Sequence, residues 1–145
     1  MKTRLILAAM MIFVGSTFAV ALAQVGPNFD YLNDADRKVM QERFVKELWP
    51  LLERGGKKGC VGCHDGKINS SLKMSGKADK DFRMMVKDGF FIPDDTGSAL
   101  TRITARNEKK KMPPPGKGEP WTKAEVEVLS KFVADLDKLN QKKKK

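Results

Sequence analysis

The sequence predicts an all-α protein with four or five helices. Apolar residues recur at intervals of three and four in the segments 34–52 and 122–139, as they do on one face of a helix. No run of β-branched residues with strand-like alternation is present. Residues that cap helices stand before the predicted helices. The length fits one domain, which we place at residues 34–140.

The first helix is expected to start near Asp34, with Asn33 or Asp34 as its N-cap. Residues 24–33 before it form a short irregular lead-in. Pro50 should kink or restart the helix, because proline has no backbone N–H to donate. The apolar stripe of this helix is predicted to comprise Val39, Met40, Phe44, Val45 and Leu48.

The middle of the chain is expected to be mostly loop. Residues 65–79 are polar, and a short helix is predicted over residues 80–87. The apolar segment Phe90–Pro93 should be extended. We also expect it to pack near the edge of the cofactor bound at Cys60–His64. Ser98 is predicted to cap a further short helix.

The last helix carries the clearest signals. Thr122 and Glu125 form a capping box, in which each side chain accepts a hydrogen bond from the other residue's backbone N–H. Residues 141–145 are a glutamine and four lysines, expected to be a frayed and solvated tail. The apolar stripe of this helix comprises Val126, Leu129, Phe132, Val133, Leu136 and Leu139.

The segment Cys60–His64 reads C-x-x-C-H, the signature of covalent haem attachment. Two thiols at this spacing can add to the two vinyl groups along one edge of a porphyrin. His64 then lies under the iron and supplies an axial nitrogen. Cys60 and Cys63 are the only cysteines and His64 is the only histidine in 145 residues. We therefore predict one haem per chain.

Four other interpretations of this motif remain open. A thioredoxin-like disulfide would normally lie near a βαβ pattern. A structural zinc site usually needs four Cys or His ligands, and the chain offers three. An iron–sulfur cluster usually needs four thiolates, against two here. Chance occurrence is the fourth interpretation.

Residues 1–23 have the pattern of a secretion signal. Lys2 and Arg4 precede the apolar core Leu5–Val14, and Ala21-Leu22-Ala23 is a small-x-small cleavage pattern. Cleavage would leave Gln24 as the first residue, and an uncleaved membrane anchor is the alternative. Bacterial haem attachment to C-x-x-C-H takes place outside the cytoplasmic membrane, so both signals predict a periplasmic or otherwise exported protein without a further membrane span.

The chain is strongly basic, with 28 Lys and Arg against 18 Asp and Glu and a formal net charge of +10. Loss of residues 1–23 removes two positive charges and leaves +8, before haem propionates are counted. Such a surface favours acidic redox partner proteins, or peripheral attraction to anionic membranes. Nucleic acid is not expected as a partner, because no nucleic-acid motif is present.

The second axial position has three candidate occupants: a methionine, a lysine amine, or water. A second histidine is excluded by composition. Met112 is the preferred methionine, because it follows a charged turn, precedes three prolines and lies 48 residues after His64. The proline run should hold the sulfur rigidly. Packing in the core is the expected role of Met40, Met84 and Met85, and Met74 lies too near His64 in sequence to reach the opposite haem face easily.

With these residues in place, the chain resembles class I c-type cytochromes. A helix leads into the haem motif, a Met-Pro-Pro segment follows, and an amphipathic helix ends the domain. More narrowly, it is similar to the small cytochrome c domains of planctomycete proteins. Phe44 and Trp49–Leu52, Ser98–Leu100 and Met112–Pro114 carry that likeness, which extends over residues 44–139.

The resemblance implies a class I cytochrome c fold, with the first and last helices packed together and the haem in a cleft between them and the middle loops. It implies Cys60 and Cys63 as the haem-attaching residues and His64 and Met112 as the axial ligands. The expected function is single-electron transfer by a carrier that is not an enzyme. A haem enzyme or sensor with an open sixth site, and a fixed cytochrome subunit of a larger oxidoreductase complex, are the alternatives.

Overall fold

The computed structural model describes residues 32–56, 59–68 and 70–143, and these form helices and no strand. The prediction of an all-α protein is therefore confirmed for the described part of the chain. The predicted signal peptide at 1–23, residues 24–31 of the predicted lead-in and Lys144–Lys145 lie outside the described residues.

The described residues form six α-helices and one π-helical segment. In chain order they are α1 (Asp34–Arg43), the π segment (Phe44–Leu48), α2 (Trp49–Glu53), α3 (Cys60–Cys63), α4 (Ala78–Lys87), α5 (Ala99–Thr104) and α6 (Lys123–Lys143).

The first helical stretch is continuous from α1 to α2 but changes its hydrogen bonding in the middle. Asn33 caps α1 as predicted, and its side chain accepts the Asp36 N–H at 2.8 Å. At the other end, the Trp49 N–H bonds to the Phe44 carbonyl, five residues back. Pro50 follows directly and has no N–H to donate, so the ordinary α-helical ladder cannot run through this point. Pro50 thus restarts the helix without ending it.

The buried stripe of this stretch differs from the predicted one. Val39 and Val45 are 55% and 40% exposed, so their assignment to the core was wrong. The buried residues recur at every fourth position instead: Met40, Phe44, Leu48 and Leu52. In a regular α-helix with 3.6 residues per turn, side chains four residues apart rotate gradually away from one face. The wider turn of the π segment offsets this rotation, so the whole row faces the core.

Phe44 is the centre of an aromatic core. Its ring is fully buried and lies 5.4 Å from Phe82 of α4, 6.1 Å from both Trp49 and Phe91, and 6.2 Å from Phe132 of α6, measured between ring centroids. Tilted and edge-on arrangements at these distances are favourable for aromatic pairs. One side chain therefore joins the first helical stretch to α4, to the turn after it and to α6.

Two arginines attach the first helical stretch to α6. Arg43 binds Asp135 at 3.1 Å, and its guanidinium lies 5.6 Å from the Phe132 ring centre. Arg54 forms an ion pair with Glu125 in the first turn of α6. The predicted capping box is confirmed beside it, because Thr122 N–H donates to Glu125 at 2.7 Å and Glu125 N–H donates to Thr122 at 3.3 Å.

The middle segments are more helical and less extended than predicted. Helix α4 begins two residues before the predicted Lys80. Phe90 and Phe91 lie in a turn, with the Phe90 N–H bonded to the Met85 carbonyl at 2.9 Å, so the predicted extended segment was wrong. The backbone of Gly89, at φ 79°, reverses the chain there and directs Phe91 into the core. Ser98 caps α5 as predicted, accepting the Thr101 N–H at 3.2 Å.

The predicted boundary between the domain and its lysine tail also moves. Helix α6 extends to Lys143, so the first three residues of the predicted tail are helical. Basic side chains at this end are favourable for the helix dipole. Across the described ranges, no helix is both long and apolar enough to cross a bilayer.

The aromatic core predicts a large effect of a single truncation. We expect Phe44→Ala to lower the free energy of unfolding by about 3–5 kcal/mol, because it removes a ring that four other rings surround. Urea unfolding followed by far-UV circular dichroism measures this loss. The matched control is Val39→Ala on α1, whose exposed side chain should change stability by less than about 0.5 kcal/mol. Equal effects of the two variants would contradict the assigned core.

The capping box predicts an acid-dependent contribution to stability. Burial raises the pKa of Glu125, but hydrogen bonds from Thr122 and Arg54 outweigh it and hold that pKa below its usual range. The stabilisation is then present above the unfolded-state pKa of about 4.3 and is lost as pH falls through the lower folded-state value. Glu125→Gln should cost about 0.5–2 kcal/mol near pH 7 and much less near pH 3. Glu127→Gln, exposed on the same helix, is the control, and urea unfolding at both pH values is the measurement.

Candidate functional site

Helix α3 is a single turn that contains both cysteines. The Cys63 N–H bonds to the Gly59 carbonyl and the His64 N–H to the Cys60 carbonyl, each at 2.9 Å. Residues three apart lie on one face of a helix, so Cys60 and Cys63 share a face. Gly59 is required where the turn begins, because a Cβ there would lie 2.0 Å from the Arg54 carbonyl oxygen. The end of α2 and the start of α3 are thus packed backbone to backbone.

His64 follows directly and has one ring nitrogen engaged by the protein. Its Nδ1 lies 3.1 Å from the Leu72 carbonyl oxygen and 3.0 Å from the Ser70 hydroxyl. A carbonyl oxygen can only accept, so Nδ1 carries the proton and Nε2 keeps its lone pair. Metal-bound histidines commonly have this arrangement, with the second nitrogen bonded to a carbonyl that orients the ring and raises its basicity.

The motif lines a cavity of about 850 Å³ with a mainly apolar surface. This volume lies within the range of small-molecule and cofactor sites. Its walls come from α2, α3, the loop after His64, the end of α5 and the segment 112–121. Cys60, Cys63, His64 and Met112 all line it, so the structure brings the four predicted site residues to one cavity.

Met112 is positioned by the backbone of α5. Its N–H donates to the Arg102 carbonyl at 2.9 Å, and Pro113 and Pro114 after it also line the cavity. Ser98, fully buried at the start of α5, fixes the other end of that short helix. The side chain of Met112 is partly buried, in keeping with a position on a cavity wall.

The other methionines of the described residues lie away from this cavity. Met40, Met74 and Met85 are between 1% and 4% exposed and belong to the apolar core, and Met84 is packed against it. None of the four lines the cavity. Lysine is also represented in the lining, by Lys67 and Lys117. A hydrogen bond from its ammonium to Asp65 raises the pKa of Lys67, which makes that amine a poorer metal ligand.

Several residues of the cavity wall had no signal in the sequence. Arg54 lies beside the cavity, donates to the Pro120 carbonyl at 3.3 Å and holds its guanidinium 5.7 Å from the Trp121 ring centre. Arg102 also lines the cavity. These groups are far apart in sequence, so only folding shows that they meet.

The two sulfurs are not joined in a disulfide. Burial raises the pKa of the Cys60 thiol, although the charge of Arg54 opposes that shift. A raised pKa means less thiolate at neutral pH, whereas redox-active cysteines normally have lowered pKa values. Neither a strand nor a cluster of three His, Cys, Asp or Glu side chains suited to a metal ion is found in the described residues. The raised pKa of Cys60 disfavours the thioredoxin-like interpretation.

The cavity was predicted to lie between the packed first and last helices and the middle loops. Its lining includes Leu51 and Arg54 at the end of the first helical stretch, the loop after His64 and the segment 112–121, whereas α1 and α6 contribute no residue. The space between those helices is filled by Phe44 and Phe132. None of the residues Phe90–Pro93 lines the cavity, so its lining gives no support to their predicted packing near the cofactor. The aromatic core displaces the cavity to the α2–α3 end of the fold.

Comparison of the chain with protein-family models, with curated proteins and with solved structures finds no match. The functional argument therefore rests on the residues of the cavity themselves.

Proposed function

We propose that this protein is an exported mono-haem c-type cytochrome of the class I fold that transfers single electrons between redox partners. The observation that carries the proposal is the convergence of Cys60, Cys63, His64 and Met112 on one apolar cavity of about 850 Å³. Two thiols, one imidazole and one thioether are the donor set of a haem attached by two thioether bonds with His/Met axial ligation.

The local geometry of the chain fits this group. The thiols of Cys60 and Cys63 lie on the same face of one helical turn, as attachment to one porphyrin edge requires. The Nδ1 proton of His64 is held by the Leu72 carbonyl, which leaves Nε2 as the nitrogen able to bind iron. A bound haem would supply one iron centre that accepts and returns a single electron.

Met112 determines which kind of haem protein this is. Bound to the iron of a haem, its thioether would leave no vacancy for a substrate and would raise the potential relative to two nitrogen ligands. Its backbone bond to Arg102 and the two prolines after it hold the residue at the cavity wall. Both features support an electron carrier over a haem enzyme.

Four cationic side chains line the cavity, against the two carboxylates of Asp65 and Glu119. Such positive charges offset the two carboxylates that a haem carries, since charge-assisted bonds to carboxylates are strong. Outside the cavity, the exposed run Lys109–Lys111 lies directly before Met112. This placement supports an acidic docking partner that approaches the same end of the molecule. The cationic residues in the lining are Arg54, Arg102, Lys67 and Lys117.

Covalent attachment is tested first. The purified protein should keep its haem on a denaturing gel stained for peroxidase activity, because thioether bonds survive unfolding. The double variant Cys60→Ser/Cys63→Ser should lose the stain. The single variant Ser71→Ala, at a cavity-lining position without a thiol, should keep it. Absence of haem from protein made with bacterial haem-attachment machinery would refute the proposal.

Axial ligation is tested by comparing two methionines. Met112→Ala should lose the weak sulfur-to-iron charge-transfer band of the oxidised protein, and it should bind added imidazole or cyanide at least about tenfold more tightly because no internal ligand competes. Met84→Ala, outside the cavity, should keep the wild-type spectrum. A wild-type ferric spectrum for Met112→Ala would contradict the ligand assignment and favour Lys117, Lys67 or water.

A further inference from the structure

A buried carboxylate outside the cavity has no part in the site described so far. Asp81 of α4 is 1% exposed and does not line the cavity. One carboxylate oxygen accepts the Ser75 N–H at 2.7 Å, and the other accepts the Gly76 N–H at 3.0 Å. Burying a charge is costly unless hydrogen bonds replace its hydration, and here two backbone groups do so.

The two hydrogen bonds of Asp81 fix the loop residues that precede α4, in addition to any effect on the helix itself. An acidic residue in the first turn of a helix is favourable for the dipole. However, a residue serving only the helix would bond to N–H groups within its first turn. Asp81 reaches back to Ser75 and Gly76 instead, beyond the N-cap Lys77. Its partners are two adjacent residues of the loop between His64 and α4.

The same loop holds His64 at two points. The Met74 N–H donates to the His64 carbonyl at 2.6 Å, and the Leu72 carbonyl oxygen lies 3.1 Å from His64 Nδ1. Ser70 adds a hydroxyl 3.0 Å from Nδ1 and accepts the Leu72 N–H at 3.2 Å. Residues 70–74 therefore contact both the backbone and the ring of His64, and Asp81 binds the next two residues along the chain.

Helix α4 provides a rigid support for this carboxylate. Phe82, Met85 and Val86 are all buried in the apolar core. On its outer side, Asp79 accepts a hydrogen bond from Gln41 of α1 at 3.0 Å. Within the loop, Met74 is buried in the core and Leu72 packs against it, so the carboxylate adds a polar restraint at the next two residues, Ser75 and Gly76.

We propose that Asp81 is a positioning residue for His64. Its carboxylate fixes Ser75 and Gly76, and through them the segment 70–74 whose Leu72 carbonyl keeps the proton of His64 on Nδ1. The orientation of the imidazole is a property of the polypeptide alone. Its consequence for iron rests on the proposed function.

The test compares Asp81→Asn with Asp79→Asn, which removes an exposed charge from the same turn. An amide at position 81 can accept from one backbone N–H, but its NH₂ group then faces the other donor. We expect the Met74 amide and the His64 Nδ1 proton to exchange with solvent about tenfold faster or more in Asp81→Asn, measured by ¹⁵N NMR on the full mature chain. Exchange in Asp79→Asn should match the wild type.

Two results would overturn the proposal. Faster exchange confined to Ser75 and Gly76 would make Asp81 a local loop anchor only, and identical behaviour of the two variants would remove its role altogether. Should Asp81→Asn fail to fold, the wild type decides, because the Ser75, Gly76, Met74 and His64 Nδ1 protons should open together as one unit. Clearly different opening free energies for the Ser75 and Gly76 protons and for the Met74 and His64 Nδ1 protons would refute the link between Asp81 and His64.

A second readout links Asp81 to the iron. Loosening the Nδ1 hydrogen bond lowers the basicity of the imidazole and should raise the reduction potential of the haem-loaded Asp81→Asn protein relative to Asp79→Asn. An unchanged potential together with faster His64 exchange would show that positioning does not reach the iron. If no haem is attached, the proposed function fails while the exchange measurement still tests the role of Asp81.

Discussion

The packing of one aromatic ring, Phe44, determines most of the architecture. It contacts Trp49 within its own helical stretch, Phe82 of α4, Phe91 of the following turn and Phe132 of α6. These contacts fill the space between the first and last helices with side chains. A large cofactor has no room there, and the cavity opens at the other end of the fold, where α2, α3 and the segment 112–121 meet. The π-helical turn is part of the same arrangement, because it keeps Phe44 on the inner row of the helix although Pro50 interrupts the hydrogen bonding nearby.

Electrostatic contacts complete what the aromatic core begins. Arg43 and Arg54, on either side of the π segment and α2, bind Asp135 in the middle of α6 and Glu125 in its first turn. The second pair has a direct consequence for the site, because Arg54 also lies against Trp121 on the cavity wall. The Glu125 carboxylate therefore takes part both in the capping box and in the ion pair that holds Arg54 at the cavity wall. The N-terminal end of α6 is a structural part of the site even though α6 itself contributes no lining residue.

The two proposed axial ligands are held by different parts of the molecule. His64 is hydrogen-bonded to the loop that Asp81 of α4 binds, and Met112 is hydrogen-bonded to the carbonyl of Arg102 near the end of α5. Helices α4 and α5 are both short, and each is anchored by buried residues. Separate supports allow one ligand to be perturbed without the other, which is a useful property for assigning spectroscopic changes to single residues.

Local chemistry in the sequence determined the elements and the donor set. Caps at Asn33, Ser98 and Thr122 and the restart at Pro50 were predictable because their hydrogen bonds involve only near neighbours. The C-x-x-C-H motif is also local, because its five residues are consecutive. Met112 was selected by its neighbours, a charged turn before it and three prolines after it. The full set of residues that line the cavity, the exposure of Val39 and the burial of Phe91 were not predictable. They depend on which rings meet Phe44 and on contacts between residues far apart in sequence. The roles of Arg54, Leu72 and Asp81 were also not predictable. A residue that contacts a distant backbone group leaves no pattern in its own part of the sequence, so only the tertiary structure decides what it contacts.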